Sequence, residues 1–548
     1  MSNLESALCE WAAVVGDDNV VTDATALRAA ETGTFASGHR IPAIVRPASR
    51  SEVQECLRIA NRYACPVYPV STGRNWGYGS RMPASDGCIL LDLGRMNRIL
   101  DFSEPLGYVT VEPGVTQAQL QQFLQDRGSK LWMDSTGASP HCSLVGNAVE
   151  RGFGHTPYGD HFANTCGMEV VLPSGEVIET GYGRFSGARS TPVYRWGVGP
   201  VLDGLFSQSN FGVVTRITQW LMPAPEYFQA YYFRVEEASS LDRVIEALRP
   251  LRLSGTIRSA SHIANDYKVV SALQQYPWEV AGGKTPLGPA EMAGLRRTLK
   301  IGCWNGSGAL YGTRAQVKEA RRLLRNALKG CAQRLQFLDD RTIELASLFA
   351  KPYEYITGWN LQRTLAVLKP VYGLMKGIPT SHPLASTYWR KRTPPPEAMD
   401  PDRDGCGLVW CSPVAPNDGA SARQLTELVT AFVLDQGFEP AISLTMITER
   451  ALACIISLSW DREVAGEDGR AFHCYRALVD RLAQHGYHSY RLSTGMMSAT
   501  AQPGAYADLL RDLKQTLDPT GILAPGRYEP EGGNRPRSAA EPVQLVSK

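Results

Sequence analysis

The chain has 548 residues, with 56 Lys plus Arg against 54 Asp plus Glu, 43% hydrophobic and 20% charged residues. This balance excludes a global pull towards nucleic acid or an anionic membrane surface and suits a globular protein of two or three domains. Its apolar runs fall short of the roughly 20 residues that cross a bilayer. Twelve cysteines stand singly with no CxxC pair, so no metal site or disulfide framework is expected. The opening Met-Ser-Asn-Leu-Glu-Ser has no basic or apolar leader character, which points to a cytoplasmic protein with reduced thiols.

In chain order, Ala43 to Pro47 reads as a strand, and Ser51-Glu52-Val53-Gln54 reads as a capping box opening a helix to Tyr63. Val67 to Val70 follows as a strand, closing a βαβ unit, and Ile89 to Leu93 and Tyr108 to Glu112 are further strands. Thr116 caps a helix to Arg127. Met168 to Leu172 and Glu176 to Thr180 flank Pro-Ser-Gly as a hairpin. Gly212 to Met222 alternates as a strand and ends in Pro223-Ala224-Pro225, a domain boundary. Beyond it, Tyr231 to Val235, the Ser240 to Leu251 helix, Ala309 to Thr313 and the Arg314 to Gly330 helix predict an α+β unit on an antiparallel sheet. Leu408 to Cys411 and Ala453 to Ser459 read as buried strands, Tyr506 to Leu517 as a last helix, and the final 18 residues as disordered.

Residues 69–82 carry the densest chemistry. Gly73, Gly77 and Gly79 let backbone N–H groups converge on an anion such as a pyrophosphate, and Ser71, Thr72, Arg74 and Asn75 add donors. Taken alone, the stretch reads equally well as a surface turn. Three more segments join it: Gly-Asn-Ala-Val-Glu-Arg-Gly-Phe-Gly-His-Thr-Pro-Tyr-Gly-Asp-His (146–161), Asp-Gly-Leu-Phe-Ser-Gln-Ser-Asn-Phe-Gly-Val-Val-Thr (203–215) and Leu-Asp-Pro-Thr-Gly-Ile-Leu-Ala-Pro-Gly (517–526). Together the four closely resemble the vanillyl-alcohol oxidase and p-cresol methylhydroxylase family of FAD flavoproteins, which includes eugenol oxidase. The likeness runs from about residue 40 to 528.

The resemblance implies a two-subdomain FAD-binding domain with an inserted α+β cap domain on an antiparallel sheet. Residues 1–224 would form the FAD-binding part, 225–499 the substrate or cap domain, 500–530 the C-terminal return, and 531–548 a tail. Residues 71–79 would hold the FAD pyrophosphate. Ser143, Gly146, Asn147, Gly152, Tyr158, Gly159, Gly212, Val213 and Val214 would line the rest of the cofactor. Gly146, Gly152, Gly154 and Gly159 suit a backbone pressed against a flat ring.

For the substrate, the resemblance places Tyr78, Tyr490 and Arg491 around the oxygen of a para-substituted phenol, with Trp410 lining the pocket. A guanidinium and two hydroxyl donors would lower the phenol pKa by ~2–3 units, and the phenolate would push electrons towards a departing benzylic hydride. Read without the resemblance, Tyr490 is a core aromatic and Arg491 a surface charge.

Three family features are absent. Ala138 stands near the place of a common Asp, leaving no carboxylate there to manage a proton or water. His155 replaces a family tyrosine, and it or His141 is the candidate acid–base group; a structural, hydrogen-bonded histidine is the other reading of each. Leu408 stands where relatives carry a His or Tyr tether to FAD, so the flavin is expected to be non-covalent. Cys406 and Cys411 read as strand-packing thiols.

The expected function is hydride transfer from the benzylic or allylic carbon of a para-substituted phenol to flavin N5 through a p-quinone methide, ending in hydroxylation or dehydrogenation. The alternatives are an FAD dehydrogenase of a non-phenolic alcohol or hydroxy acid, and a non-catalytic flavin-binding or electron-transfer protein. Expected partners are the small phenol, a second copy of the chain in a dimer, and a cytochrome c-like acceptor of the kind p-cresol methylhydroxylase uses, with no nucleic acid and no membrane.

Overall fold

The computed structural model describes residues 2–350, 361–500 and 503–529; the tail expected to be disordered lies outside them. Among the described residues three large sheets organise the chain, with a two-stranded pairing of Leu131–Trp132 and Met222–Pro223 beside them. The first has four strands in the order Val20–Val21, Ile44–Val45, Ile89–Asp92, Val67–Val70. Ile89–Asp92 runs parallel to both of its neighbours. The Arg50–Tyr63 helix packs Val53, Leu57 and Ala60 into the core beside Val67, Ile89 and Leu91. Its cap is Ser49, whose hydroxyl accepts from the Glu52 N–H (3.2 Å) while Glu52 accepts from the Ala48 N–H (2.8 Å). The cap thus falls two residues before the expected Ser51, because Glu52 turns back rather than opening the helix from Ser51.

Residues 522–524 return to the edge of this sheet. The Val67 N–H donates to the Ile522 carbonyl (2.7 Å) and the Ala524 N–H to the Val67 carbonyl (2.8 Å). The second sheet is antiparallel with five strands, Ile99–Ser103, Tyr108–Val111, Val213–Trp220, Thr165–Val171 and Val177–Glu179 in spatial order.

The third sheet has nine strands, all antiparallel, between residues 227 and 489. Tyr227–Val235 and Trp304–Gly312 pair along their whole lengths, so both start four or five residues before the sequence expectation. His262–Asn265, Gln333–Leu338 and Ala441–Thr445, absent from the sequence reading, are also strands. The two-residue period of the strands sorts this sheet's side chains. Ile263, Val409, Cys411, Ile442, Leu444, Leu452, Cys454, Ile456 and Leu458 join one core, with helices Leu241–Leu253, Arg314–Leu328, Gly419–Asp435 and Glu467–Gln484. Their neighbours His262, Leu408, Trp410, Ser443, Thr445 and Ile455 face the other way, into a cavity.

Among the described residues no helix is long and apolar enough to cross a membrane, and no cluster of three or more His, Cys, Asp or Glu could hold a metal ion.

Candidate active site

The cavity, of about 520 Å³, is lined from one side by the loop that follows Val67–Val70 and from the other by the free face of the nine-stranded sheet. Gly73 and Gly77 sit at φ +67° and +77°, a region where only glycine is unstrained. At Gly77 a Cβ would collide with the Trp410 indole. That indole donates to the Trp76 carbonyl (3.0 Å), and the Trp410 N–H donates to the Gly77 carbonyl (3.2 Å). The sheet is thereby clamped onto the glycine loop. Gly146 approaches so closely that a Cβ would meet the Ser71 hydroxyl.

Tyr78, Tyr490 and Arg491 meet at one end. The Tyr78 hydroxyl shares a hydrogen bond with the Ser412 hydroxyl (2.7 Å) and lies within hydrogen-bond reach of Tyr490. Burial pushes both tyrosine pKa values up, so both hydroxyls keep their protons and remain donors. The Arg491 guanidinium lies 4.2 Å from the Tyr78 ring centre. Glu150 lies inside the 146–161 motif, but its role stayed unread. Its carboxylate accepts from Arg491 Nε (3.1 Å) and also pairs with Arg527, while Arg491 Nη2 donates to Asn75 Oδ1 (2.7 Å). Arg491 is buried rather than a surface charge. Its charge is partly balanced, and the Arg491–Glu150–Arg527 group keeps one net positive charge.

Three basic side chains, His155, His262 and Lys268, line the same cavity. His155 and His262 are in contact, their ring centres 4.6 Å apart and their planes tilted by 42°. His262 Nδ1 shares a hydrogen bond with the Thr445 hydroxyl (3.0 Å), while His262 Nε2 and His155 Nδ1 are buried without partners. Burial lowers the pKa of both imidazoles. The His155 ring is therefore neutral at neutral pH. Lys268, from the Asp266–Leu273 helix, points its ammonium at the Trp410 ring, 5.1 Å from its centre. Ala138 lines the cavity as expected, and Glu150 is the sole carboxylate among the described lining residues. A second carboxylate, Asp134, lies behind the wall; it accepts from the Thr156 N–H (2.6 Å) and contacts His161 Nε2 (2.7 Å).

Of the residues expected at the cofactor, Ser71, Thr72, Gly73, Arg74, Asn75, Tyr78, Ser143, Gly146, Asn147, Gly152, Gly212, Val213 and Val214 line the cavity. Gly77, Tyr158 and Gly159 do not. Gly77 backs onto Trp410, Tyr158 packs beside the Met222–Phe228 core, and Gly159 closes a turn with its carbonyl on the Gly154 N–H (2.9 Å). His141 is exposed on the surface and cannot stand in for His155. Lys268, His262 and Glu150 escaped the sequence reading because each gains meaning only from partners far away in the chain.

Residues 41–181 match a family described as FAD binding domain. The chain is 47% identical over 530 residues to 1'-carboxy-chondrochloren decarboxylase of Chondromyces crocatus, covering 96% of this chain and 97% of that protein. It is 30% identical over 530 residues to the flavoprotein subunit of 4-cresol dehydrogenase [hydroxylating] of Pseudomonas putida, covering 95% and 94%. The chain belongs to the p-cresol methylhydroxylase and vanillyl-alcohol oxidase family of FAD flavoproteins. A 4-ethylphenol oxidase from Gulosibacter chungangensis, solved as its isoeugenol complex, superposes with a TM-score of 0.87 at 29% identity, over 96% of this chain and 98% of that one.

As a member of this family the chain is an FAD-dependent oxidoreductase, and its cavity fits FAD. Gly73, left-handed at φ +67°, lies in the cavity lining among Ser71, Thr72, Arg74 and Asn75. The Ser209 hydroxyl, on the 203–215 segment, is buried in the cavity wall with no partner of its own, a donor left for a ligand. Residues 71–75 would hold the pyrophosphate, and 143–152 with 208–214 the remainder. FAD supplies the two-electron acceptor.

Proposed function

We propose that this flavoprotein oxidises para-substituted phenols at the benzylic carbon through a p-quinone methide. The observation that carries the reading is the convergence of Tyr78, Tyr490 and Arg491 at one end of the cavity, brought together from opposite ends of the chain. The two protonated hydroxyls donate to the phenolic oxygen, and the net charge of the arginine pair over Glu150 stabilises the phenolate. Electron density then moves to the para position, and the C–H bond there weakens as hydride departs. Full-length similarity to proteins described as a cresol dehydrogenase and a 4-ethylphenol oxidase supports the same substrate class. Anaerobic mixing tests it: 4-alkylphenols should bleach the flavin absorbance, whereas lactate and simple alcohols should not. Bleaching by lactate alone would favour a hydroxy-acid dehydrogenase. Re-oxidation by oxygen or by an added cytochrome c then identifies the acceptor.

With a plain alkyl side chain, the quinone methide must add water, and a group must take the proton. His155, neutral and unpartnered at Nδ1, is that group. Its lowered pKa places the acid limb of the pH–rate profile below about 6.5. Turnover of 4-ethylphenol is therefore full near neutrality and falls on acidification only below that value. His155→Phe is expected to lower turnover about 100-fold and erase the acid limb, while flavin bleaching is less affected. An unchanged profile would make the ring structural.

We also read the FAD as non-covalent. Leu408 faces the cavity at the tether position and has no nucleophile. The nearby Cys142 thiol is pushed up to about 12 by burial, far from the reactive thiolate. Acid precipitation should leave the flavin in the supernatant; fluorescence retained by the protein band on a denaturing gel would show another attachment.

A further inference from the structure

We propose that a second cavity, reached from the flavin cavity past Phe153, holds the far end of an extended para substituent, and that Arg252 donates there to a neutral carbonyl or ether oxygen of the substrate. This rests on the phenol reading above. The second cavity, of about 450 Å³, lies between residues 153–164 on one side and residues 252–260 and 447–449 on the other. It adjoins the flavin cavity at three places in the chain. Phe153 and Gly154 line both cavities, and the next two residues divide, His155 to the flavin cavity and Thr156 to the second. His262 and Ala260 divide in the same way, as do Thr445 and Ile447. Between those last two pairs the wall is solid, because the Met446 N–H donates to the Ser261 carbonyl (3.0 Å) and both residues are fully buried. Gly154 has no side chain, so the side chain shared by the two cavities is the Phe153 ring. That ring lies 5.5 Å from the ring of Tyr490, at the phenol end, and Phe153 is only half-buried. A turn of one aromatic side chain therefore joins the phenol site to the second cavity.

The polar groups of the second cavity select the chemistry of its occupant. Arg252 is 8% exposed and lines it. Its Nη1 donates to the carbonyls of Ile257 (3.1 Å) and Ser259 (2.7 Å), and its Nη2 to the Met446 carbonyl (3.2 Å). These bonds hold the guanidinium in one place, while its Nε is buried without a partner. A buried donor left unpaired is costly and is satisfied when a ligand brings an acceptor. The acceptor need not be charged. Arg252 and Arg258 face Asp160 and Glu449 among the described lining residues, so the formal charges cancel and the cavity has no net pull on an anion. The far side opens to solvent beside Leu253, Gly255 and Arg258, all exposed, which leaves room for a substituent longer than the cavity itself. The substrate class that fits is a phenol with a long, mainly apolar para chain carrying an uncharged oxygen remote from the ring.

The test is equilibrium titration of the dithionite-reduced holoenzyme, which binds but cannot oxidise, with the series from 4-ethylphenol to 4-octylphenol and with analogues in which an ether oxygen replaces one methylene of the chain. In the wild type Kd should keep falling along the series, by up to about 4-fold per methylene buried. At one position in the chain the ether should bind roughly 3- to 10-fold more tightly than the alkane of the same length, the range for a single hydrogen bond. Arg252→Met should erase that preference and leave the Kd of 4-ethylphenol unchanged. Phe153→Trp, with its larger ring in the passage, should raise the Kd of 4-octylphenol roughly 10-fold or more relative to that of 4-ethylphenol. A Kd that stops falling beyond 4-ethylphenol, an ether that gains nothing at any position, or an ether preference that survives Arg252→Met would overturn the subsite. If 4-ethylphenol does not bleach the oxidised flavin, the phenol reading falls first. If it does and the longer phenols gain nothing, only the subsite falls. Should either variant not fold, the wild-type series still decides.

Discussion

Arg491→Ala should lower kcat/KM for a 4-alkylphenol by roughly 30- to 1000-fold, equivalent to about 2–4 kcal/mol of lost transition-state stabilisation. The reasoning begins from burial. Arg491 is only 7% exposed, so a phenolate beside it is shielded from water and its charge is felt at low dielectric. Two tyrosine hydroxyls whose pKa values burial has raised cannot themselves supply charge. They orient the oxygen, and the guanidinium ionises it. Because Glu150 is shared between Arg491 and Arg527, removing Arg491 leaves Glu150 paired with Arg527 and the local net charge falls from positive to zero. The loss should therefore appear in ionisation of the ligand more than in affinity for the neutral phenol.

A spectroscopic readout separates this from a general structural defect. At about pH 6 bound 4-hydroxybenzaldehyde should show its long-wavelength phenolate band in the wild type and lose it in Arg491→Ala. Arg491→Lys should keep part of the band, since the charge survives while the bond to Asn75 does not. Near-wild-type kinetics with the band intact would remove Arg491 from the phenolate site.

The parts of this site that could be read in sequence are those encoded within one stretch of chain. The glycine spacing of 73–79 specifies its own left-handed turns, and Tyr78 rides on it. The alternation Leu408, Val409, Trp410, Cys411 already says that 408 and 410 share a face. Identity at single positions also carried over: Ala138 and Leu408 line the cavity as an absent carboxylate and an absent tether would require. What could not be read is pairing between strands. His262 lies opposite Ser307 and Thr445, and nothing in Ser-His-Ile-Ala-Asn announces a strand, let alone a cavity wall. Lys268 looks like one more helix-surface lysine until the helix is seen to cap that wall. Glu150 sat inside a quoted motif, yet its two arginine partners lie 341 and 377 positions further along the chain. Gly77, Tyr158 and Gly159, expected at the cofactor, lie outside the cavity lining. A motif places its backbone near the ligand without saying which side chains or glycines touch it.

Lys514→Met should destabilise the C-terminal return by about 3–5 kcal/mol, the cost of leaving a buried carboxylate without its partner. The Leu-Asp-Pro-Thr-Gly segment looked like a family signature with no evident task. The task is electrostatic. Lys514 Nζ donates to Asp518 Oδ2 (2.7 Å), to the Leu523 carbonyl (2.8 Å) and to the Asn210 carbonyl (3.0 Å). Asp518, 2% exposed, in turn accepts from the N–H groups of Ile522 (3.1 Å) and Leu523 (2.9 Å). This hub bends residues 518–524 so that Ile522 and Ala524 can bond to Val67, at the strand that delivers Ser71 to the cavity. It also fixes the chain leading to Arg527, one of the two partners of Glu150. Without the ammonium, a carboxylate and two carbonyls are stranded in the interior, and opening of this segment becomes the cheaper alternative. Flavin should then be released on heating well before the nine-stranded sheet unfolds, seen as flavin fluorescence rising ahead of the loss of far-ultraviolet ellipticity. Amide hydrogens of Ile522, Leu523 and Ala524 should exchange faster than in the wild type. Lys514→Arg, which keeps the charge, should lie between the two. If Lys514→Met released flavin at the wild-type temperature with unchanged exchange at 522–524, the segment would be held by packing of Ile522 and Leu523 against the Val67 core rather than by this ion pair.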